Sequence, residues 1–149
     1  MRLITQTRYG IRILLDLAMH QSEGVVQMSD IATRQNISLK YLERIIQPLK
    51  KAGFVYSKRG RSGGHTLALP PEGISLAEVV RIFEPDARQD EEPIGASGYP
   101  EFQDALIRDA WQDAKEAFYS RLDKVSLADL SINTTRKLWS HSDILVFCE

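Results

Sequence analysis

Cysteine is almost missing from the sequence, because its 149 residues contain a single one, Cys148, next to the last position. One thiol cannot close an intrachain disulfide, and it cannot assemble a cysteine-based metal site within one chain. Long apolar runs are missing as well, since none approaches the roughly 20 residues that a membrane-spanning helix requires. The N-terminus carries no apolar signal core. These absences predict a soluble, globular protein that has no membrane partner and stays in the cytoplasm.

Patterns typical of enzymes and metal sites are also missing. His20, His65 and His141 are far apart in the sequence and have no metal-ligand spacing. No nucleotide-binding loop, no nucleophile paired with a histidine and no catalytic pair of carboxylates is evident. The acidic run at residues 90–92 could hold a hard cation with help from another chain, but such runs are more often solvated. The sequence therefore predicts no enzyme, no metal site and no cofactor.

Negative charge is scarce in the first half of the chain. Residues 1–70 contain eleven Lys or Arg against four Asp or Glu, which gives a net charge of +7. The remaining residues carry a net charge of −8, although the whole chain has a net charge of only −1. A basic segment joined to an acidic one is expected when only the first binds a polyanion. The basic half therefore indicates nucleic acid as a partner.

Three helices are predicted before residue 53. Apolar side chains at helical spacing indicate the first over residues 5–21. Ser29 is expected to cap a short second helix over residues 30–35, and Asn36 to end it, because Asn tolerates the left-handed backbone of a tight turn. Ser38 is expected to cap a third, amphipathic helix. A helix, a short turn and a second amphipathic helix make a helix-turn-helix.

A basic, glycine-rich hairpin is predicted after the third helix, with strands over residues 54–57 and 66–69. Its tip carries Lys58, Arg59 and Arg61 among three glycines. Glycines let the backbone approach a phosphate strand, and an arginine can enter the minor groove of DNA. Such a hairpin taken alone is an ordinary surface turn. Beside a helix-turn-helix it predicts a DNA-binding wing.

The rest of the chain predicts a fourth helix, a loop and a further long helix. A capping box at residues 75–78 opens the fourth helix, which ends at Glu84. Residues 85–100 contain three prolines, two glycines and the acidic run, and they predict a flexible acidic loop. The expected organisation is a winged helix-turn-helix domain over 1–84, the loop over 85–100, a dimerisation region over 101–131 and a tail of unknown role over 132–149.

A long apolar stripe follows the loop. Apolar side chains recur every three or four residues to about residue 125, which indicates one continuous helix. The stripe is longer than a small domain can cover by itself, so a second copy of the chain is the expected partner. The residues expected at this dimer interface are Phe102, Leu106, Ala110, Trp111, Ala114, Phe118 and Leu122.

Three segments of the first half resemble one known family. They are SLKYLE at residues 38–43, LKKAGFV at 49–55 and RGRSGGH at 59–65, in this order and spacing. Together they are similar to the IscR/NsrR/CymR family of winged-helix regulators, also called the Rrf-type family. The resemblance implies a dimer that binds a partly palindromic operator, with the long helix as the crossing element. The residues that it places in contact with DNA are Ser38, Tyr41, Glu43 and Arg59.

The sequence departs from the family's pattern within the predicted loop. Many relatives hold an iron-sulfur cluster there on three cysteines, whereas residues 85–100 contain neither cysteine nor histidine. Cys148 lies far outside that motif. We therefore expect a cluster-free member similar to CymR rather than a redox or nitric oxide sensor. His65 also stands where the family commonly has a tyrosine at the end of the wing tip.

The combined expectation is a sequence-specific, homodimeric DNA-binding transcription regulator that acts as a repressor, with a mainly helical winged helix-turn-helix fold. The alternative is a winged-helix module that binds another protein, and the charge of the basic half weighs against it. The loop at 85–100 could bind an effector ligand or a protein partner. The residues expected to contact double-stranded DNA are Met28, Ser29, Ser38, Lys40, Tyr41, Glu43, Arg44, Lys50, Lys58, Arg59, Arg61, Ser62, Gly63 and Gly64.

Overall fold

The structure, a computed structural model, describes residues 4–84 and 101–132. Antiparallel strands form a hairpin, and residues 127–132 are helical again. The predicted fold class, mainly helical with a small hairpin wing, is confirmed. The predicted loop at 85–100 and the chain beyond residue 132 lie outside the described residues. The elements are α1 (Thr5–Met19), α2 (Met28–Gln35), α3 (Leu39–Lys51), β1 (Val55–Lys58), β2 (Gly64–Leu67), α4 (Leu76–Phe83) and α5 (Glu101–Asp123).

The turn between α2 and α3 has the conformation that its residues predict. Asn36 has a φ of 53°, in the left-handed region, and it ends α2. Ser38 caps α3, because its hydroxyl oxygen accepts a hydrogen bond from the N–H of Tyr41 at 3.2 Å. Both predictions for this turn are confirmed. They fix the direction in which α3 leaves α2.

The predicted cap of α2 is wrong. The helix begins at Met28, so Ser29 lies inside its first turn, and its hydroxyl donates to the Asp30 carboxylate at 3.4 Å. Gln27 occupies the cap position and makes no side-chain hydrogen bond there. Its carbonyl oxygen accepts from the N–H of Ile31 at 3.2 Å instead. Val26, two residues before the helix, is paired with His65 of the hairpin.

Helix α3 buries one face and exposes the other. Its buried residues are Leu42, Ile45, Ile46 and Leu49. Pro48 has no backbone N–H to donate within the helix. The sequence therefore predicts a kink or a weakened turn between Arg44 and Pro48. The helix nevertheless continues without a break to Lys51. The polar face therefore forms one uninterrupted surface.

The hairpin is shifted slightly from its predicted limits. Strand β1 starts one residue later than predicted, because the N–H of Phe54 donates back to the carbonyl of Leu49 at the end of α3. Strand β2 starts two residues earlier, at Gly64, which pairs with Lys58. Val26 adds a bridge that the sequence did not predict, with two backbone hydrogen bonds of 2.8 and 2.9 Å to His65. The wing is thereby tied to the chain just before α2.

The core joins α1 to the helix-turn-helix, the wing and α4. Ile13 and Leu14 of α1 are fully buried, and Phe54, Val55 and Leu67 contribute from the start of the wing. Helices α1 and α4 come especially close at Gly10, where an added Cβ would lie 2.9 Å from Cζ of Phe83. This core therefore supports α3 and the wing on the side opposite their exposed surfaces.

Helix α4 opens with the predicted capping box, and the end of α5 packs beside it. Ser75 and Glu78 exchange the two hydrogen bonds of the box. The N–H of Leu127 donates to the carbonyl of Ile74 at 2.8 Å, and the Leu127 side chain is fully buried in the core. This contact anchors the chain just after α5 to the winged domain. Within the described ranges, no helix has the length and apolar content to cross a membrane.

Candidate nucleic-acid interface

An open groove of about 420 Å³ lies between α3 and the wing. It brings together seven of the residues expected to contact DNA, from the start of α2, from α3 and from the wing. These residues are Met28, Ser29, Glu43, Lys58, Arg61, Gly63 and Gly64. The helix-turn-helix and the hairpin thus form the two opposite walls of this groove.

The first turns of α3 form one wall of this groove. Leu39 and Glu43 both line it, and they are one helical turn apart on the same face of the helix. Lys40 and Arg44 are exposed beside them. The Ser38 hydroxyl oxygen already accepts the capping hydrogen bond, but its hydrogen can still be donated. This end of α3 presents a carboxylate acceptor in the groove, with a hydroxyl donor and cations exposed beside it, on a helix that can enter a major groove.

The wing forms the opposite wall, and its glycines are required by the backbone. Gly60 has a φ of 111°, which few other residues adopt. A Cβ on Gly64 would lie 2.6 Å from the carbonyl oxygen of Val26, so no larger side chain fits there. Arg59 and Ser62 are exposed at the tip, while Lys58 and Arg61 line the groove. The hairpin therefore carries its cations on a tightly folded tip.

Tyr41 lies on a different side of α3 from Glu43. Its half-buried ring meets the ring of Tyr9 edge-on, with centroids 5.5 Å apart. The guanidinium of Arg12 lies 5.0 Å from the centroid of the Tyr9 ring. Tyr41 is thus placed at the α1 side of the surface rather than in the groove. Its hydroxyl and Arg12 could both contact one phosphate strand.

His65 lies at the base of the wing, where it also lines the groove. Its Nδ1 is 2.8 Å from the hydroxyl oxygen of Ser57 on the paired strand. Burial, together with the charge of Lys50, holds the pKa of His65 below its usual value of 6.5. The imidazole is therefore mainly neutral at pH 7. Lys50 is half-buried and does not itself line the groove, although its charge acts on His65 at the base of the wing.

Four groove residues were not among the expected DNA contacts. They are Gln27, Leu39, Gly60 and His65. Leu39 could have been found, because it precedes Glu43 by one helical turn and directly follows the Ser38 cap. Gln27 and His65 are brought to the groove by the bridge between Val26 and the wing, which no local pattern indicates. The assignment of individual residues to DNA contacts stays a prediction.

The residues expected at a dimer interface lie on α5. Leu106 and Trp111 are exposed by 64% and 69%, and Ile107, which was not predicted, by 69%. Ala110 and Ala114 are exposed as well, whereas Phe118 and Leu122 are half-buried. The side chain of Phe102 lies outside what the structure describes. Large apolar side chains thus remain in solvent along the described part of α5 in a single chain.

A helix-turn-helix followed by a basic hairpin, with a groove between them, defines a winged helix-turn-helix DNA-binding protein. A family profile described as Rrf2, iron-dependent transcriptional regulator, matches residues 3–133. Protein rrf2 of Nitratidesulfovibrio vulgaris is 43% identical over 134 residues, which cover 87% of either chain. The chain therefore belongs to the Rrf2 family of transcriptional regulators, which bind DNA.

Solved structures of two regulators are similar to the whole described fold. T. potens IscR matches with a TM-score of 0.71 and 32% identity, over 90% of this chain and 88% of that chain. CymR of B. subtilis, described as the global cysteine regulator, matches with a TM-score of 0.68 and 31% identity, over 89% of this chain and 98% of that chain. These likenesses confirm the family resemblance found in the sequence.

Proposed function

We propose that this protein is a homodimeric repressor that binds a partly palindromic operator through the groove between α3 and the wing. The groove itself carries the proposal, because it combines base-reading groups on α3 with Lys58 and Arg61 on the facing wall. Cations on the wing contact phosphates and position the protein, while the helix reads base edges. The net charge of +7 on residues 1–70 supports this orientation toward DNA.

Dimerisation supplies two such grooves for two half-sites. The exposed side chains of Leu106, Ile107 and Trp111 on α5 support an interface between two copies of the chain. In a twofold dimer the same face of each copy meets the other, so one apolar face is sufficient. The distance between the two copies of α3 must then match about one helical turn of DNA.

The protein works in this proposal without an iron-sulfur cluster. Such clusters need thiolates, or histidines in their place, and the sequence has one cysteine, Cys148, and no cysteine or histidine between residues 85 and 100. Among the described residues, no three His, Cys, Asp or Glu side chains come together as metal ligands. The donor set therefore does not fit the iron that the family description names. An effector or protein partner bound by residues 85–100 is a further proposal, and that segment lies outside the described residues.

The test begins with duplexes that the full-length protein selects from a random pool. Sedimentation of the complex should show two chains per duplex, and transcription in vitro from a template that carries the site across its promoter should fall as protein is added. The variant Trp111→Glu should bind a palindromic duplex more weakly, because it places a charge in the proposed interface. Asp113→Lys, on the opposite side of α5, is the matched control and should leave dimerisation unchanged.

Three results would contradict parts of the proposal. Binding of one chain per palindromic duplex would contradict the dimer, and increased transcription would contradict repression. An anaerobically purified sample with visible iron-sulfur absorption would contradict the cluster-free state. Selection that enriches no sequence, together with tight binding of another protein to the groove, would favour the protein-binding alternative.

A further inference from the structure

Leu39 lines the groove, but its side chain can make neither a phosphate contact nor a polar contact with a base. It is the first residue of α3 and is 50% exposed. The face that α3 buries in the core begins instead at Leu42. An exposed leucine is ordinary on a protein surface, but this one lines the same groove as Glu43 and the wing cation Arg61.

The position of Leu39 relative to Glu43 limits what each can contact. Four residues along a helix advance about 6 Å, whereas successive base pairs are about 3.4 Å apart. The two side chains therefore reach base edges one or two base pairs apart. A glutamate accepts a hydrogen bond from the amino group of cytosine. A leucine offers no donor and no acceptor, so it must contact an apolar group.

The major groove presents one apolar group, the C5 methyl of thymine. We propose that Leu39 determines part of the sequence specificity by packing on a thymine methyl, within two base pairs of the base that Glu43 contacts. Met28, the other large apolar side chain of this groove, also packs against the core and provides an apolar neighbour. The inference rests on the proposed function, because it requires the groove to bind DNA.

Leu39 also selects against other bases at this position. Adenine and cytosine present amino groups, and guanine presents acceptors, in the major groove. Packed against leucine, these groups would lose water without gaining a partner, which is unfavourable. Thymine exposes its methyl beside its acceptor and tolerates the contact best.

The test removes the methyl alone. Each thymine of one half-site in a duplex selected by the wild-type protein is replaced in turn by deoxyuridine, and affinity is measured by fluorescence anisotropy at fixed salt. The wild-type protein should bind about fourfold more weakly when one particular thymine is changed, since burying a methyl contributes about 0.8 kcal/mol. Leu39→Ala should bind the thymine duplex more weakly and show no further loss with deoxyuridine there.

Two controls separate this role from a structural one. Leu39→Met keeps an apolar side chain and should retain most of the deoxyuridine penalty, whereas Leu39→Ser should lose it. All three variants should unfold at the wild-type temperature, because the position is half-exposed. If no thymine shows the penalty, or if Leu39→Ala keeps it, the assignment of Leu39 is overturned while sequence-specific binding stands. If the wild-type protein shows no sequence preference at all, the proposed function is overturned as well.

Discussion

Arg34 of α2 holds the carboxylate of Asp16 in α1 with two of its nitrogens. Its Nη2 lies 2.7 Å from Oδ1, and its Nε lies 3.0 Å from both carboxylate oxygens. Asp16 is 4% exposed, and Gln35 donates a further hydrogen bond to its Oδ2 at 2.9 Å. The pair fastens the helix-turn-helix to the helix behind it. It therefore helps to set the orientation of the helix-turn-helix relative to α1.

Replacing Arg34 by alanine should destabilise the fold. The buried carboxylate of Asp16 would lose its charged partner, and removing one member of a buried pair is costly. Because the Arg34 side chain is 36% exposed, we expect a loss of unfolding free energy of about 2 to 3 kcal/mol, below the range of about 3 to 5 kcal/mol for fully buried pairs. Urea denaturation measures this loss. Arg8→Ala, which removes an exposed arginine of α1, should cost less than about 0.5 kcal/mol, and equal losses in the two variants would contradict the role of the pair.

Gly10→Ala should destabilise the contact between α1 and α4. The new Cβ would overlap the ring of Phe83, so the ring or a helix must move, at a cost of about 1 to 3 kcal/mol. Gly73→Ala is the matched control, because nothing lies within 4 Å of the position of its Cβ. Thermal unfolding compares the two. Adding Phe83→Leu to Gly10→Ala should recover part of the lost stability, and no recovery would mean that the clash is not the cause.

Acidification should weaken the fold through His65. Its pKa in the folded protein lies below the unfolded value of 6.5, because burial and the Lys50 ammonium disfavour the charged imidazole. Between these two pKa values the unfolded chain binds a proton that the folded protein does not, so stability falls as the pH drops through 6.5. Denaturation of wild type and His65→Gln at pH 7.5 and 5.5 isolates this contribution. The wild type should lose more stability than the variant, and parallel losses would refute the effect.

Arg59→Ala and Lys50→Ala should impair DNA binding in different ways. Arg59 is exposed at the wing tip, and if it reads a groove its loss should weaken specific binding by about 1 to 3 kcal/mol. Lys50→Ala should weaken binding to all sequences alike and lower the salt dependence, as expected for a phosphate contact. Affinities for a selected and a scrambled duplex, measured over a range of salt, distinguish the two. Equal effects of both variants on both duplexes would contradict the assignment of Arg59 as a residue that reads a DNA groove.

Local features of the fold could be predicted from the sequence, because their causes span a few residues. The Ser38 cap, the left-handed Asn36 and the capping box at Ser75 each depend on a side chain and a backbone group within four positions. The bridge between Val26 and His65 could not be predicted in this way. It joins residues 39 positions apart in the sequence, just before the start of α2.

The charged residues of the groove could be predicted from the sequence, but the shape of the groove could not. Lys58 and Arg61 stand out as cations between glycines, and Glu43 stands out on the polar face of α3. Leu39 carries no charge, and its one signal in the sequence is its position after the Ser38 cap and one helical turn before Glu43. Only the three-dimensional arrangement places it beside the wing.

The central claim is that the groove between α3 and the wing binds a specific DNA sequence. The most direct test measures the affinity of the wild-type protein for a selected duplex and for a scrambled duplex of equal composition, between about 50 and 200 mM salt. We expect the selected duplex to bind at least about a thousandfold more tightly, and affinity for both to fall steeply with salt as counterions are released. Equal affinity for the two duplexes, or an affinity that does not depend on salt, would contradict the claim.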